Sequence, residues 1–176
     1  MSALGQARAT VEAAGGSDAQ RMRILEFIDA HDDALERRCQ AGHLTGSAAI
    51  VAEGAARVLL LHHRKLDRWL QPGGHADGDG DIAAVAEREV LEETGLAGVL
   101  ERPAIDLDVH DIPARPGEPA HVHLDVRFRL RVAAGAVAVA NHESRGLRWV
   151  GLEQLEDPVL ELDVSTKRLV RVALLD

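Results

Sequence analysis

The stretch that decides the fold is residues 74–96, which read GHADGDGDIAAVAEREVLEETGL. Its second half predicts a helix from about residue 81 to residue 94, ended by Gly95, because glycine is common just past a helix C-terminus. Three acidic residues spaced to share one face of this helix are Glu89, Glu92 and Glu93. Carboxylates in one patch repel each other. The pattern therefore indicates either a solvated face or a site for a divalent cation, and Mg²⁺ takes oxygen ligands of this kind.

The same stretch resembles the signature of the Nudix family. That signature is Gly, five residues, Glu, seven residues, Arg-Glu, an apolar residue, any residue, Glu-Glu, any residue, Gly and an apolar residue. The positions of this chain that match it are Gly74, Arg88, Glu89, Val90, Glu92, Glu93, Gly95 and Leu96. The lead-in 69–74 and the segment 147–155 also look like the family's flanking turn and closing strand, so the resemblance covers about residues 45–155.

One signature position departs from the pattern, because residue 80 is Gly where the family has Glu. In the family this Glu braces the loop through the signature arginine, and either Asp79 or Asp81 could substitute for it here. The run 77–81 also invites comparison with a calcium-binding loop. That loop needs Gly at its sixth position and Glu at its twelfth, where this chain has Ile82 and Arg88, so the calcium interpretation fails.

The resemblance implies an α/β fold, a Nudix-type α/β/α sandwich with a mixed β-sheet. Hydrophobic runs bounded by turn signals predict its strands. These strands are residues 46–52, 57–63, 104–112, 121–132 and 147–150. The unbroken apolar run in the second of them is typical of a strand buried on both faces.

The rest of the chain predicts helices and a leader. Residues 1–19 are rich in Ala, Gly and Ser and are expected to form a mobile leader. A helical stripe over residues 20–40 and a last helix to about Leu175, with Ser165 as its N-cap, flank the family region. We therefore expect a single Nudix domain over residues 20–176.

Composition limits the partners. The formal net charge is −9 and aromatic residues make up 2% of the chain, with no Tyr. Both features argue against a nucleic-acid polymer as partner. Cys39 is the only cysteine, so neither an intrachain disulfide nor a cysteine-based zinc site is expected. No apolar run suggests a signal peptide or a membrane span, so we expect a soluble, cytoplasmic protein. The sequence leaves a homodimer open.

By resemblance, Glu89, Glu92 and Glu93 bind Mg²⁺ or Mn²⁺, and the Gly74 carbonyl is an additional ligand. Arg88 orients the glutamates by ion pairing, or it forms an ordinary surface salt bridge that contributes little. The implied reaction is attack of water on a phosphorus atom of a diphosphate, assisted by the metal. A general base is still required, and Glu143, just before the closing strand, is either that base or an exposed loop acid.

Polar residues also alternate along two predicted strands, where alternate residues share a face. One set is His121, His123 and Asp125, and the other is Asp106, Asp108 and His110. If the strands pair, they form either a patch that contacts the substrate or a metal, or an exposed sheet face with neutral histidines. The basic run 62–65 either meets substrate phosphates or is a solvated strand end. The residues predicted to bind substrate are Arg64, His75, His121 and His123.

The sequence thus predicts a Nudix pyrophosphohydrolase, a hydrolase acting on phosphoric anhydrides. Its predicted reaction is Mg²⁺-dependent hydrolysis of a diphosphate linkage in a nucleotide or a nucleoside-diphosphate-linked small molecule. Two alternatives stay open. A Nudix domain could sense a nucleotide without cleaving it, although a pure binder need not keep all three glutamates. A diphosphate isomerase on the same fold would convert its substrate without releasing phosphate or nucleotide.

Overall fold

Within residues 1–175, seven strands form one mixed sheet, and four α-helices cover its two faces. The computed structural model describes residues 1–175. The helices are α1 (Ala3–Ala13), α2 (Asp18–Ala30), α3 (Ile82–Thr94) and α4 (Val164–Leu175), with a short 3₁₀ helix at Leu152–Gln154. The strands are β1 (Gly42–Ala52), β2 (Val58–His63), β3 (Arg68–Leu70), β4 (Gly73–His75), β5 (Val99–Ile112), β6 (His121–Val132) and β7 (Ser144–Val150).

Strand β1 is central to the sheet. The main strand order is β3-β2-β1-β6-β5, while β4 pairs with β1 and β7 pairs with β2. Strands β1 and β6 run parallel along the whole length of β1, and the other pairings are antiparallel. The two polar strands, β5 and β6, pair with each other, which is the condition on which the polar patch depended.

Side chains of β1 alternate between the two layers. Leu44, Ala48 and Ile50 pack in a core that includes residues of α1, α2 and α3. Ala49 and Val51 pack on the opposite face in a second core with α4. Because successive strand residues point to opposite faces, this alternation places one helical layer on each side of the sheet. The α/β/α sandwich and its mixed sheet are confirmed.

The N-terminal segment differs from its prediction as a mobile leader. Residues 3–13 form helix α1, whose N-cap Ser2 accepts a hydrogen bond at Oγ from the backbone N–H of Gly5, at 3.1 Å. Ala7 and Val11 are fully buried. Alanine, one of the residues that suggested disorder, is also the best helix former, and helix α1 contains four of them. The extent of the domain over residues 20–176 stays a prediction.

Several element boundaries also differ. Helix α2 ends at Ala30, and the buried Leu35 belongs to the turns that follow it, so the predicted helix to residue 40 is too long. Helix α4 is capped by Asp163, which accepts a hydrogen bond at Oδ1 from Thr166 N at 2.7 Å, and not by Ser165. Among the helices of residues 1–175, none is long and apolar enough to cross a membrane.

Candidate active site

Helix α3 presents its glutamates at three different depths. Asp81 caps its start by accepting a hydrogen bond from Ala84 N at 3.2 Å, and Gly95 ends it in the left-handed conformation, with φ of 67°. The buried face of the helix fixes its rotation against the sheet. Glu93 is consequently only 6% exposed, whereas Glu89 is half-buried and Glu92 is exposed.

Gly73 and Gly74, at the start of β4, meet Glu93 and Glu89. The Gly73 N–H donates a hydrogen bond to Oε2 of Glu93 at 2.9 Å. The Glu89 carboxylate lies against Gly74, and its Oε2 would be 2.5 Å from any Cβ at that position. Only glycine allows a backbone and a carboxylate to approach this closely. The structure therefore brings the predicted ligands Gly74, Glu89 and Glu93 together.

The carboxylates of Glu89 and Glu93 are in an environment that disfavours their negative charge. Burial raises the pKa of Glu93 to about 7, and the charges of Glu89, Glu143 and Glu92 add to the rise, while the hydrogen bond from Gly73 opposes it. Burial and the charge of Glu92 raise the pKa of Glu89. Among residues 1–175, the bond from Gly73 is the one hydrogen bond that the Glu93 side chain accepts. A divalent cation would supply the missing positive charge.

The donor set suits Mg²⁺ or Mn²⁺. Mg²⁺ usually takes one or two carboxylates and fills its octahedron with waters and substrate phosphates. Glu89 and Glu93 supply the two carboxylates, and the backbone of Gly74 lies against Glu89. Glu92 extends into solvent, so the three carboxylates are not gathered at one point as the sequence suggested. Carboxylates on one helix face repel each other, which favours such spreading.

The arginine of the signature faces an aspartate in place of the absent glutamate. Arg88 Nη1 lies 3.7 Å from Oδ2 of Asp79, and its Nε lies 3.8 Å from Oε1 of Glu89. Asp81 instead caps α3 and pairs with Arg102 at 3.1 Å. The geometry thus favours Asp79 over Asp81 as the substitute. Both Arg88 contacts are longer than hydrogen bonds and partly exposed, so each contributes little to stability.

The loop that carries Glu143 is tied to α3 and β2. Asn141 Nδ2 donates to the Glu92 carbonyl at 3.2 Å, and Asn141 Oδ1 accepts from Glu143 N at 2.9 Å. Arg64 Nε donates to the His142 carbonyl at 3.1 Å. Glu143 lies near enough for its charge to raise the pKa of Glu93. The guanidinium of Arg64, predicted to bind substrate, is occupied in holding this loop.

Part of the predicted polar patch is a closed ion-pair network. Arg127 contacts three buried aspartates, namely Asp106 at 3.4 Å, Asp108 at 3.1 Å and Asp125 at 2.9 Å. Arg168 of α4 covers this network and pairs with Asp106 and Asp108. Because these charges satisfy one another under a helix, this half of the patch is structural.

The histidines form the other half of the patch, on the sheet face opposite α3. His75 pairs in register with Thr45, whereas Gly74 pairs with Gly46 on the α3 side. His121 and His123 lie on β6, with ring centroids 5.1 Å apart. The structure gathers the predicted His75, His121 and His123, but it does not bring them to the glutamates.

His43 is a member of this histidine group that the sequence did not suggest. It lies in β1 with its ring centroid 4.9 Å from those of both His75 and His123. The predicted strand, residues 46–52, began three residues after His43. Its alternation with Thr45 and Ser47 was the signal available in the sequence.

Comparisons with known proteins agree with this architecture. Residues 43–171 match the family profile described as NUDIX domain. A Xenopus laevis protein named Nucleoside diphosphate-linked moiety X motif 6 is 30% identical over 118 residues, which cover 65% of this chain and 53% of the relative. A Bacillus subtilis (strain 168) protein, provisionally named an 8-oxo-dGTP diphosphatase, is 30% identical over 105 residues, covering 60% of this chain and 64% of that protein.

The solved structure of the E. coli dihydroneopterin triphosphate pyrophosphohydrolase superposes with a TM-score of 0.58 at 20% identity, covering 74% of this chain and 94% of that one. At this identity the likeness concerns the fold alone. The chain spans about half the length of the Xenopus relative, 53%. Fold and family profile together define the class as a Nudix-type α/β/α domain. The chain belongs to the Nudix family.

Proposed function

We propose that this Nudix hydrolase uses Mg²⁺ or Mn²⁺ to cleave a diphosphate linkage in a nucleotide or a nucleoside-diphosphate-linked small molecule. One observation carries the proposal. Glu89 and Glu93 lie against Gly73 and Gly74 of β4, in surroundings that raise the pKa of Glu93 and that a bound cation would make favourable for its charge. The names of the Xenopus and Bacillus relatives point to the same class of substrate.

The metal would be held by Glu89 and Glu93, with Glu92 and the Gly74 carbonyl as further ligands. When bound, such an ion would neutralise charge on the phosphates, lower the pKa of a coordinated water and offset the repulsion between an anionic substrate and a chain of net charge −9.

The protein's own groups have separate tasks in this proposal. The Gly73 N–H fixes the Glu93 carboxylate, and Arg88 lies between Asp79 and Glu89, where it limits the rotation of Glu89. Glu143 accepts the proton of the attacking water as general base. Asn141 positions Glu143 by binding its backbone and the end of α3 at once.

The test is a panel of nucleotides and nucleoside-diphosphate-linked compounds incubated with Mg²⁺ and resolved by product. We expect Glu93→Gln to lose more than about 100-fold of the turnover, because even residues that only support metal ligands cost 10- to 100-fold. Glu87→Gln, an exposed position on the same helix, is the matched control and should retain full activity.

Three outcomes would contradict the proposal. Unchanged turnover in Glu93→Gln would remove the metal assignment. Ligand binding without turnover across the panel would indicate a nucleotide sensor, and conversion without release of phosphate or nucleotide would indicate an isomerase.

A further inference from the structure

Three adjacent strands each direct one histidine to a common point. His43 of β1 pairs in register with His123 of β6, and His75 of β4 lies on the other side of β1. One ring nitrogen of each of these histidines can be chosen so that the three atoms all lie within 4.8 Å of one another. This cluster, His43, His75 and His123, is named the histidine triad below.

His43 is buried without a hydrogen-bonding partner. Its exposure is 3%, and neither Nδ1 nor Nε2 has a partner among residues 1–175. A buried polar group without a partner costs about 1–3 kcal/mol, so such groups are rare in folded proteins. Both rings that flank it, those of His75 and His123, are 4.9 Å away between centroids, so the unpartnered ring is surrounded by further imidazoles.

A metal ion would bind the triad through neutral rings, because neutral imidazole has a free lone pair on one nitrogen.

A hydrogen bond outside the triad orients one of its members. His121 Nδ1 lies 2.9 Å from the Pro119 carbonyl, to which it donates, and its Nε2 lies 3.2 Å from Nε2 of His123. In the tautomer in which His121 Nε2 accepts from Nε2 of His123, the lone pair of His123 lies on Nδ1. Metal-binding histidines usually donate their second ring N–H to a fixed acceptor in this way.

The dimensions of the triad match a metal after a small contraction. An equilateral triangle with sides of 4.8 Å has its centre about 2.8 Å from each corner, and this is the upper limit for an even arrangement of the triad. Zinc–imidazole bonds are about 2.0–2.1 Å long, so each nitrogen has to move by less than about 1 Å. Small side-chain rotations supply such a movement.

We propose that His43, His75 and His123 form a binding site for a divalent transition-metal ion, with Zn²⁺ as the preferred ion. Imidazole nitrogens suit zinc and its neighbours, whereas Mg²⁺ prefers oxygen. Three protein ligands leave a fourth position open for water or another ligand. The site is separate from the glutamates of α3 because His75 and Gly74 point to opposite faces of β4.

The experiment titrates Zn²⁺ calorimetrically into the full chain after chelator treatment, with Co²⁺ in a parallel titration as a visible-absorbing probe of nitrogen coordination. We expect one Zn²⁺ per chain, bound equally well by the double variant Glu89→Gln/Glu93→Gln. Each of His43→Gln, His75→Gln and His123→Gln should lose at least about 100-fold in affinity. His62→Gln is the matched control, because His62 is also half-buried and packs on an aromatic ring, that of Trp69.

Zinc binding that survives in the three triad variants, or that disappears in the double glutamate variant, would overturn the proposal. If circular dichroism shows that the triad variants do not fold, thermal unfolding of the double glutamate variant decides. A rise in Tm with Zn²⁺ but not with Mg²⁺ supports the site, and the absence of that rise overturns it. Neither result depends on whether the chain hydrolyses diphosphates.

Discussion

The backbone of Ala3 fills the space that a side chain on Gly80 would occupy. A Cβ at residue 80 would lie 2.6 Å from the Ala3 Cα and closer still to its carbonyl oxygen. The start of α1 therefore lies where the family signature has a glutamate side chain. This explains how the chain can lack that glutamate, and it gives the N-terminal helix a defined place beside the loop before α3.

The first prediction follows from this contact. Gly80→Ala should lower the free energy of unfolding by about 1–3 kcal/mol, because an extra methyl group in a filled space forces the backbone of α1 to shift. The measurement is urea-induced unfolding. Gly146→Ala is the control, since nothing among residues 1–175 lies within 4 Å of a Cβ there, and it should change the stability by less than about 0.5 kcal/mol. Equal stabilities of the two variants would contradict the contact.

Mg²⁺ should stabilise the folded chain through Glu93. The carboxylate is buried with one hydrogen bond, so a bound cation relieves an unfavourable charge. At 100 times its Kd, a ligand that binds only the native state adds about 2.7 kcal/mol, which raises the Tm by several degrees. We expect this rise in the wild type and in Glu87→Gln, and its loss in Glu93→Gln. Thermal unfolding with Mg²⁺ and with chelator measures it, and an identical rise in Glu93→Gln would exclude Glu93 as a ligand.

The ion-pair network under α4 should dominate stability at low pH. Burial opposes the charged form of Asp108, but contacts with His110, Arg127 and Arg168 more than offset this and hold its pKa well below the usual range. A carboxyl with a lowered folded-state pKa contributes stability above its unfolded pKa of about 3.9, and this contribution is lost as the pH falls further. Denaturant unfolding of the wild type should therefore show a steep loss of stability below about pH 4.

Arg127→Gln tests the same network at neutral pH. Removing one partner of a buried ion pair leaves uncompensated charges and costs about 3–5 kcal/mol. Arg131→Gln, on the same strand but 44% exposed, is the control and should cost less than about 1 kcal/mol. Arg127→Gln should also show a shallower loss of stability below pH 4. An unchanged acid slope in this variant would mean that the network does not set the pH dependence.

Substitutions of Glu143 and Asn141 should change kcat more than KM. A general base contributes about 10²- to 10⁴-fold, so Glu143→Gln should lower kcat by that factor with little change in KM. Asn141→Ala should lower kcat less, because it removes the hydrogen bonds that hold the loop but keeps the carboxylate. Steady-state kinetics over a pH series separates the two roles. A normal kcat in Glu143→Gln would return Glu143 to the alternative of an exposed loop acid.

The sequence predicted the elements whose signals are local. Helix α3 begins and ends where Asp81 and Gly95 indicate, and β2 is buried on both faces as its apolar run suggested. The docking of α1 could not be predicted, because it depends on the space beside Gly80, a residue far away in the chain. The membership of His43 in the histidine group depends likewise on which strands flank β1, a property of the whole sheet.

The register of β1 links the two proposed metal sites to one strand. Its odd-numbered residues near the start carry His43 and the polar side chains, and its even-numbered residues face α3. An insertion of a single residue early in β1 would exchange the two sets of side chains. His43 would then point toward the apolar core and Leu44 toward the polar face. Changes of length should therefore be tolerated in the exposed connection after Ala52, whereas changes of length within β1 would disrupt both proposed sites.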